Sequence, residues 1–241
     1  MSARARPRTK FFLVMTWAFL AIAVIGFSTT FFLPVARGGF HAPLVIHVHA
    51  AVVFGWLLLL IAQATLVQRR DIARHRKLGM AGLLLAAGVV VTGVLVGLHA
   101  TRRDIANGGD DFVVGQFVNI LIEMLLFGAL VAAAIAMRRD SEAHKRLLLL
   151  AAISMLGPAW LRFRHFLPWV PNPFVTFSLV ADSVLLVAIA RDWITLERVH
   201  PVYLWGGGAM VAVHAIELAA IRSEPWLRLS RWLLGCPPPE E

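Results

Sequence analysis

Four histidines, three carboxylates and one arginine stand within or at the ends of otherwise apolar stretches of this chain: His49, His99, His165 and His214, with Glu123, Asp182, Glu217 and Arg162. Ionisable groups are expensive in hydrocarbon, so those found there usually face a bundle interior or a polar cavity. Spacing sharpens the point. Gln116, Asn119 and Glu123 fall at i, i+3 and i+7, a single polar stripe on a helix. Ser178 and Asp182 are one turn apart, as are His214 and Glu217. His49, Trp56 and Gln63 recur every seven residues and share a face expected to point inward. His47 lies about 200° around the helix from His49 and is expected to meet another neighbour or the headgroup region.

Several chemistries suit this set. Facing imidazoles at equal depth suit haem, which would pair His49 with His214, or His99 with His165. The same four histidines suit a transition metal such as zinc, iron or copper, and zinc hydrolysis would add Glu123 or Asp182 as the base. A proton relay needs no metal: Glu123, Asp182 and Glu217 would carry protons while Arg162 neutralises an anion. Three functions follow: a metal- or haem-dependent redox protein, a proton-coupled carrier of a small solute, or a structural subunit of a larger membrane complex. Strong metal motifs are missing, with no HExxH, no CxxC and no HxxxH pair within a span. No lysine stands in the last apolar stretch, which argues against a retinal Schiff base. The polar groups also suit plain interhelical hydrogen bonding at about 1 kcal/mol each, and Glu123 with Arg162 suits simple mutual neutralisation.

The elements that must position these groups are apolar helices. Hydrophobic residues make up 59% of the chain and charged residues only 15%, against roughly 25% charged in a soluble domain. The spacing predicts seven spans, at about 11–33, 44–68, 78–99, 113–137, 147–166, 174–190 and 202–221. The expected fold is an all-α integral membrane bundle, one transmembrane domain over 1–241. At 1.5 Å per residue, His49, Asn119, Asp182 and His214 fall roughly 8–12 Å below the same end of their spans. Glu123 is deeper, and His99, Arg162, His165 and Glu217 are shallower. This predicts one polar layer drawn from six helices, with the other half of the bundle almost purely apolar.

The net charge of +9 does not point to nucleic acid, because the cations sit in short clusters between apolar stretches, where they suit anionic headgroups. Fifteen of the 23 Lys and Arg residues fall on the side of the N-terminus and eight on the other, which predicts the N-terminus inside and the C-terminus outside. Arg4 to Lys10 followed by an apolar run has the charge pattern of a signal peptide. The run is about 23 residues long and lacks an Ala-x-Ala site, so it reads as an uncleaved first span. Cys236 is the single cysteine, which excludes an internal disulfide. Trp226, Leu229 and Leu233 at helical spacing, with Arg228 and Arg231 between them, predict a short amphipathic helix over Arg222 to Leu234 in the outer interface, anchored by Trp226 and Trp232. Expected partners are the lipid bilayer, other membrane proteins or a second copy.

An internal echo links Arg69-Arg70-Asp71 through His75-Arg76-Lys77-Leu78 to Arg138-Arg139-Asp140 through His144-Lys145-Arg146-Leu147, at a constant offset of 69 residues, with a looser third copy at Arg191-Asp192 and His200-Pro201. Asp71, Asp140 or Ser141 are expected helix caps. His75, His144 and His200 each stand where a helix turns outward; three imidazoles at one level suit a metal, and loop or capping roles suit them equally. The segment from His49 through Gln63 to His75-Arg76-Lys77-Leu78-Gly79, then His144-Lys145-Arg146 and Arg162, resembles uncharacterised bacterial multi-pass membrane proteins with an HRxLG loop and a later HKR or HRR loop. The resemblance covers about half of the chain. It implies a bacterial inner-membrane location and a common fold, and no particular substrate.

Overall fold

Short acidic or amide side chains start the helices. In the computed structural model, which describes residues 10–235, Asp71 accepts the Arg74 N–H at 3.0 Å. Asp140 accepts from Glu142 and Ala143 at 2.9 and 3.1 Å. Asp110 and Asn172 do the same for Val113 and Val175, both at 3.4 Å. Each cap satisfies backbone donors that the first turn leaves unpaired. Arg4, Arg6, Arg8 and Cys236 lie outside the described residues.

The elements between these caps are α1 (Phe11–Ala36), α2 (Leu44–Gln68), α3 (Ile72–Ala106), α4 (Asp111–Ala136), α5 (Ser141–His165), α6 (Pro173–Leu196), α7 (Tyr203–Ala220) and α8 (Glu224–Leu234). No strand occurs among the described residues. α1 to α6 are each long and apolar enough to cross a membrane, and α7 qualifies together with α8, from which a 92° bend separates it. Six or seven spans therefore stand where seven were expected. Leu84, Leu125 and Leu186 expose more than half of their surface in mid-helix, which suits hydrocarbon rather than water.

Successive long helices run antiparallel, so Lys10, the α2–α3 turn, the α4–α5 turn and the α6–α7 turn share one face. We term it the proximal face, and the opposite one the distal face. α2 packs on α3, α3 on α4 and α4 on α5, while α1 lies against α2 and α5. Phe19, Leu57, Phe127, Leu150 and Met210 centre the core, with Trp56 edge-on to Phe127 at 5.4 Å between centroids. α3 turns a small-residue face with Gly82, Ala86, Gly93 and Gly97 inward, where Gly93 lies beneath Met124 and Gly97 beneath Ile120 of α4. Small residues of this kind let membrane helices approach closely.

Three expectations change. α3 begins at its Asp71 cap and continues through Arg102–Asp104, so it has 35 residues rather than the 22 of 78–99. Its length of about 52 Å exceeds a hydrocarbon core of about 30 Å. α6 runs to Leu196, which puts Arg191 and Asp192 of the looser third copy inside a helix rather than in a loop, and Asp192 is fully buried. The proximal half of the bundle is consequently not purely apolar.

α8 is the amphipathic helix expected from its spacing. Leu227 and Leu234 pack with Val114 and Phe117 of α4, while Trp232 stays exposed. Gly115 permits this docking, because a Cβ there would land on the Ile221 carbonyl at the α7–α8 bend. Arg222 and Arg231 pair with Asp110 and Asp111 at 3.0 and 2.6 Å, and Arg102 donates to the Leu234 carbonyl at 3.0 Å.

Candidate functional site

The stripes read on α4, α6 and α7 meet. His214 of α7 lies between two carboxylates, with Nδ1 2.6 Å from Asp182 Oδ1 on α6 and Nε2 2.9 Å from Glu123 Oε1 on α4. The Asp182 contact is an aligned hydrogen bond. The Glu123 contact is an ion-pair distance off the axis of the ring N–H, which leaves Nε2 without an aligned partner. Glu217, one turn beyond His214, is buried and interacts with the Glu123 carboxyl. Glu217 Oε1 and Glu123 Oε2 are both buried oxygens without a hydrogen-bond donor. Two interacting carboxyl groups that each keep an unpartnered buried oxygen can hold one proton between them.

The distal side of the cluster is roofed. The Trp226 indole N–H of α8 is shared between the Gly115 carbonyl at 3.2 Å and Asn119 Oδ1 at 3.1 Å. Asn119 is one turn from Glu123 on the same stripe, and its Nδ2 is buried without a partner. The docked helix therefore closes over the end of the polar row.

The other predicted residues go elsewhere. His49 bonds through Nδ1 to Thr92 Oγ1 at 2.8 Å, and the Thr92 hydroxyl donates to the Gly88 carbonyl at 2.6 Å. With its only proton so directed, Thr92 accepts, and His49 carries its proton on Nδ1 and a lone pair on Nε2. His47 faces the rings of Phe31 and Phe40, as expected from its rotation away from His49. Arg162 turns to α1 instead of Glu123: it bonds to Thr30 at 3.1 Å and the Pro158 carbonyl at 2.7 Å, and lies 4.0 Å from the Phe27 ring centroid. His165 is exposed, and His99 lines an open groove with Leu95, Leu98, Arg102 and Arg103.

The six-helix layer thus reduces to a cluster from three helices. Both nitrogens of His214 face carboxylates, which leaves neither directed to an iron or another metal. Among the described residues no group of three or more His, Cys, Asp or Glu side chains is placed to hold a metal ion, and this applies equally to His75, His144 and His200. His144 instead donates from Nδ1 to the Ala134 carbonyl at 2.7 Å.

A second charged centre was not anticipated. Arg146 of α5 and Asp192 of α6, both 0% exposed, form two hydrogen bonds at 2.8 and 2.7 Å. Glu142 accepts from Arg146 Nη1 at 2.6 Å, and Arg191 reaches Asp192 at 2.8 Å. Phe12 and Tyr203 present their rings to the Arg146 guanidinium at 6.0 and 5.6 Å. The signal was present in the periodicity: Asp192 extends the buried stripe Ala181, Leu185, Ala188, and Arg146 precedes Leu150 and Ile153 on one face. Beside this centre, burial and the charge of Arg146 push the His200 imidazole below its ordinary value of 6.5, partly offset by Asp192, Asp140 and Glu142.

Neither a family model, nor a curated protein, nor a solved structure matches the chain.

Proposed function

We propose that this protein is a proton-coupled carrier of a small solute in a bacterial cytoplasmic membrane, with its proximal face toward the cytoplasm. The observation that carries the reading is His214 set between Glu123 and Asp182, with Glu217 against Glu123. An imidazole between two carboxylates accepts and donates protons at either nitrogen, and a neighbouring carboxyl pair stores one more. Redox chemistry at haem or a metal is less well supported, since the ligand set expected for it does not gather. The greater number of cations on the proximal side supports the orientation.

The test is internal pH in vesicles reconstituted with the purified protein, using a trapped pH-sensitive dye. A panel of amino acids, amines, organic acids, sugars and inorganic ions is added outside. A solute-dependent pH change that falls at least about tenfold in His214→Ala and Glu123→Gln is expected, because each removes a proton-bearing partner. Vesicles that behave like protein-free ones with every solute overturn the reading.

A further inference from the structure

The two charged centres share helices. α6 carries Asp182 to the His214 cluster and Asp192 to Arg146; α7 carries His214 and, nearer the proximal face, Tyr203. Between them lies a dry layer of Leu185 and Ala188 from α6 with Gly207 and Met210 from α7, all buried. Asp182 and Asp192 are ten residues apart, which separates the centres by about 15 Å along α6. The straight route along α6 and α7 from the His214 cluster toward the proximal face runs through this layer and then the Arg146 centre.

The geometry points to the Arg146–Asp192 centre as the reversible closure of that path, opened when α7 turns about its Tyr203–Gly208 segment. This inference rests on the proton-handling reading of the His214 cluster. Three observations carry it. The pair is fully buried, and a buried ion pair roughly breaks even against apolar packing, because each charge regains hydration once water enters. It is therefore a two-state element in a way that an apolar plug is not. The Tyr203 hydroxyl is buried and makes no hydrogen bond, so Tyr203 touches the Arg146 guanidinium with its ring face and leaves without breaking a bond there. Finally, α7 is wound as a π turn over Tyr203–Gly207 and followed by Gly208, and π turns concentrate where helices serve function. Gly207 is packed so closely on Leu185 that a Cβ would meet Cδ2 at 2.9 Å, whereas Gly208 has open space around it.

The experiment places a thiol in the dry layer, Ala188→Cys in a Cys236→Ser background, and measures its labelling by a membrane-impermeant reagent from the proximal face. Asp192→Asn alone leaves the fully buried Arg146 with Glu142 as its remaining carboxylate and is prone to misfold, so two better-tolerated changes are used. Glu142→Gln loosens the centre at its half-exposed arm, and Arg146→Met with Asp192→Leu replaces the pair by apolar side chains. Labelling about tenfold faster in Glu142→Gln, the factor that follows from one weakened charge-assisted hydrogen bond, is expected. Labelling at least about tenfold slower in the apolar double variant is expected, since apolar packing roughly breaks even with the pair in the closed form while the open form loses hydrated charge. Equal labelling in all three forms overturns the closure. The vesicle pH assay is read separately. Labelling that follows the expected order without proton movement in any form supports the closure and removes the carrier reading. Proton movement that needs His214, with labelling indifferent to the Arg146 centre, leaves the carrier reading and removes the closure.

Discussion

His214 Nδ1 lies 2.6 Å from Asp182 Oδ1, so a side chain of α6 sets the orientation of the one imidazole in the cluster. Asp182→Asn keeps the size of this partner and removes its charge. The expected result is loss of most solute-dependent proton movement, with a stability cost of about 1–3 kcal/mol for a partly buried charge-assisted hydrogen bond. Vesicle assays beside thermal unfolding in detergent check both parts; full activity in Asp182→Asn shows that Asp182 does not position the imidazole for function.

The roof over the cluster hangs on a few contacts. Trp226→Phe removes the shared indole N–H and is expected to loosen α8 by about 1 kcal/mol. Gly115→Ala acts on the same docking from beneath, because its Cβ meets backbone at Ile221 rather than a flexible side chain. Amide hydrogen exchange over Glu224–Leu234 is expected to rise in both variants, and more in Gly115→Ala.

The Arg146 centre predicts strong non-additivity. Arg146→Met alone leaves Asp192 buried with Arg191 as its remaining partner and is expected to cost about 1–3 kcal/mol, whereas the double change with Asp192→Leu is expected to cost less. A double-mutant cycle on unfolding midpoints measures the difference. Additive losses would mean that the two side chains do not act as a pair.

His200 makes stability depend on pH. Its folded value is lowered, so below 6.5 the unfolded chain takes up the proton more readily than the folded one. Stability is therefore complete above 6.5 and falls as pH drops from there toward the folded value. The drop in melting temperature between pH 7.5 and about pH 5.5 is expected to be smaller in His200→Gln than in the wild type. Its Nδ1, which accepts the Val202 N–H at 3.3 Å, would lose that role on protonation.

What the sequence made legible was azimuth within a helix. Glu123, Asp182 and His214 came together because each lay on a polar stripe whose face helical periodicity defines. Depth was a weaker guide. His99 lines an open groove and His165 is exposed, because depth along a helix says nothing about position around the bundle, and neither joins the cluster. Mutual neutralisation of Glu123 and Arg162 suits their charges alone, while the neighbour that packing supplies to Arg162 is α1. Arg146 and Arg191 count by sequence as loop cations, since charged residues at the end of an apolar run suggest water, and Asp192 reads only as part of the looser third copy of the echo. Only the continuing buried stripe on α5 and α6 reveals that both helices extend past that point while still covered.

The dry layer of Leu185, Ala188, Gly207 and Met210 also bears on voltage. Both charged centres are largely closed off from water, so a membrane potential falls across the whole apolar thickness that holds them. Carrying one unit charge across the full potential is worth about 2.3 kcal/mol per 100 mV. The roughly 15 Å between the His214 and Arg146 centres is about half of a hydrocarbon core of about 30 Å, so a proton crossing these few side chains would do about half of the electrical work of crossing the membrane.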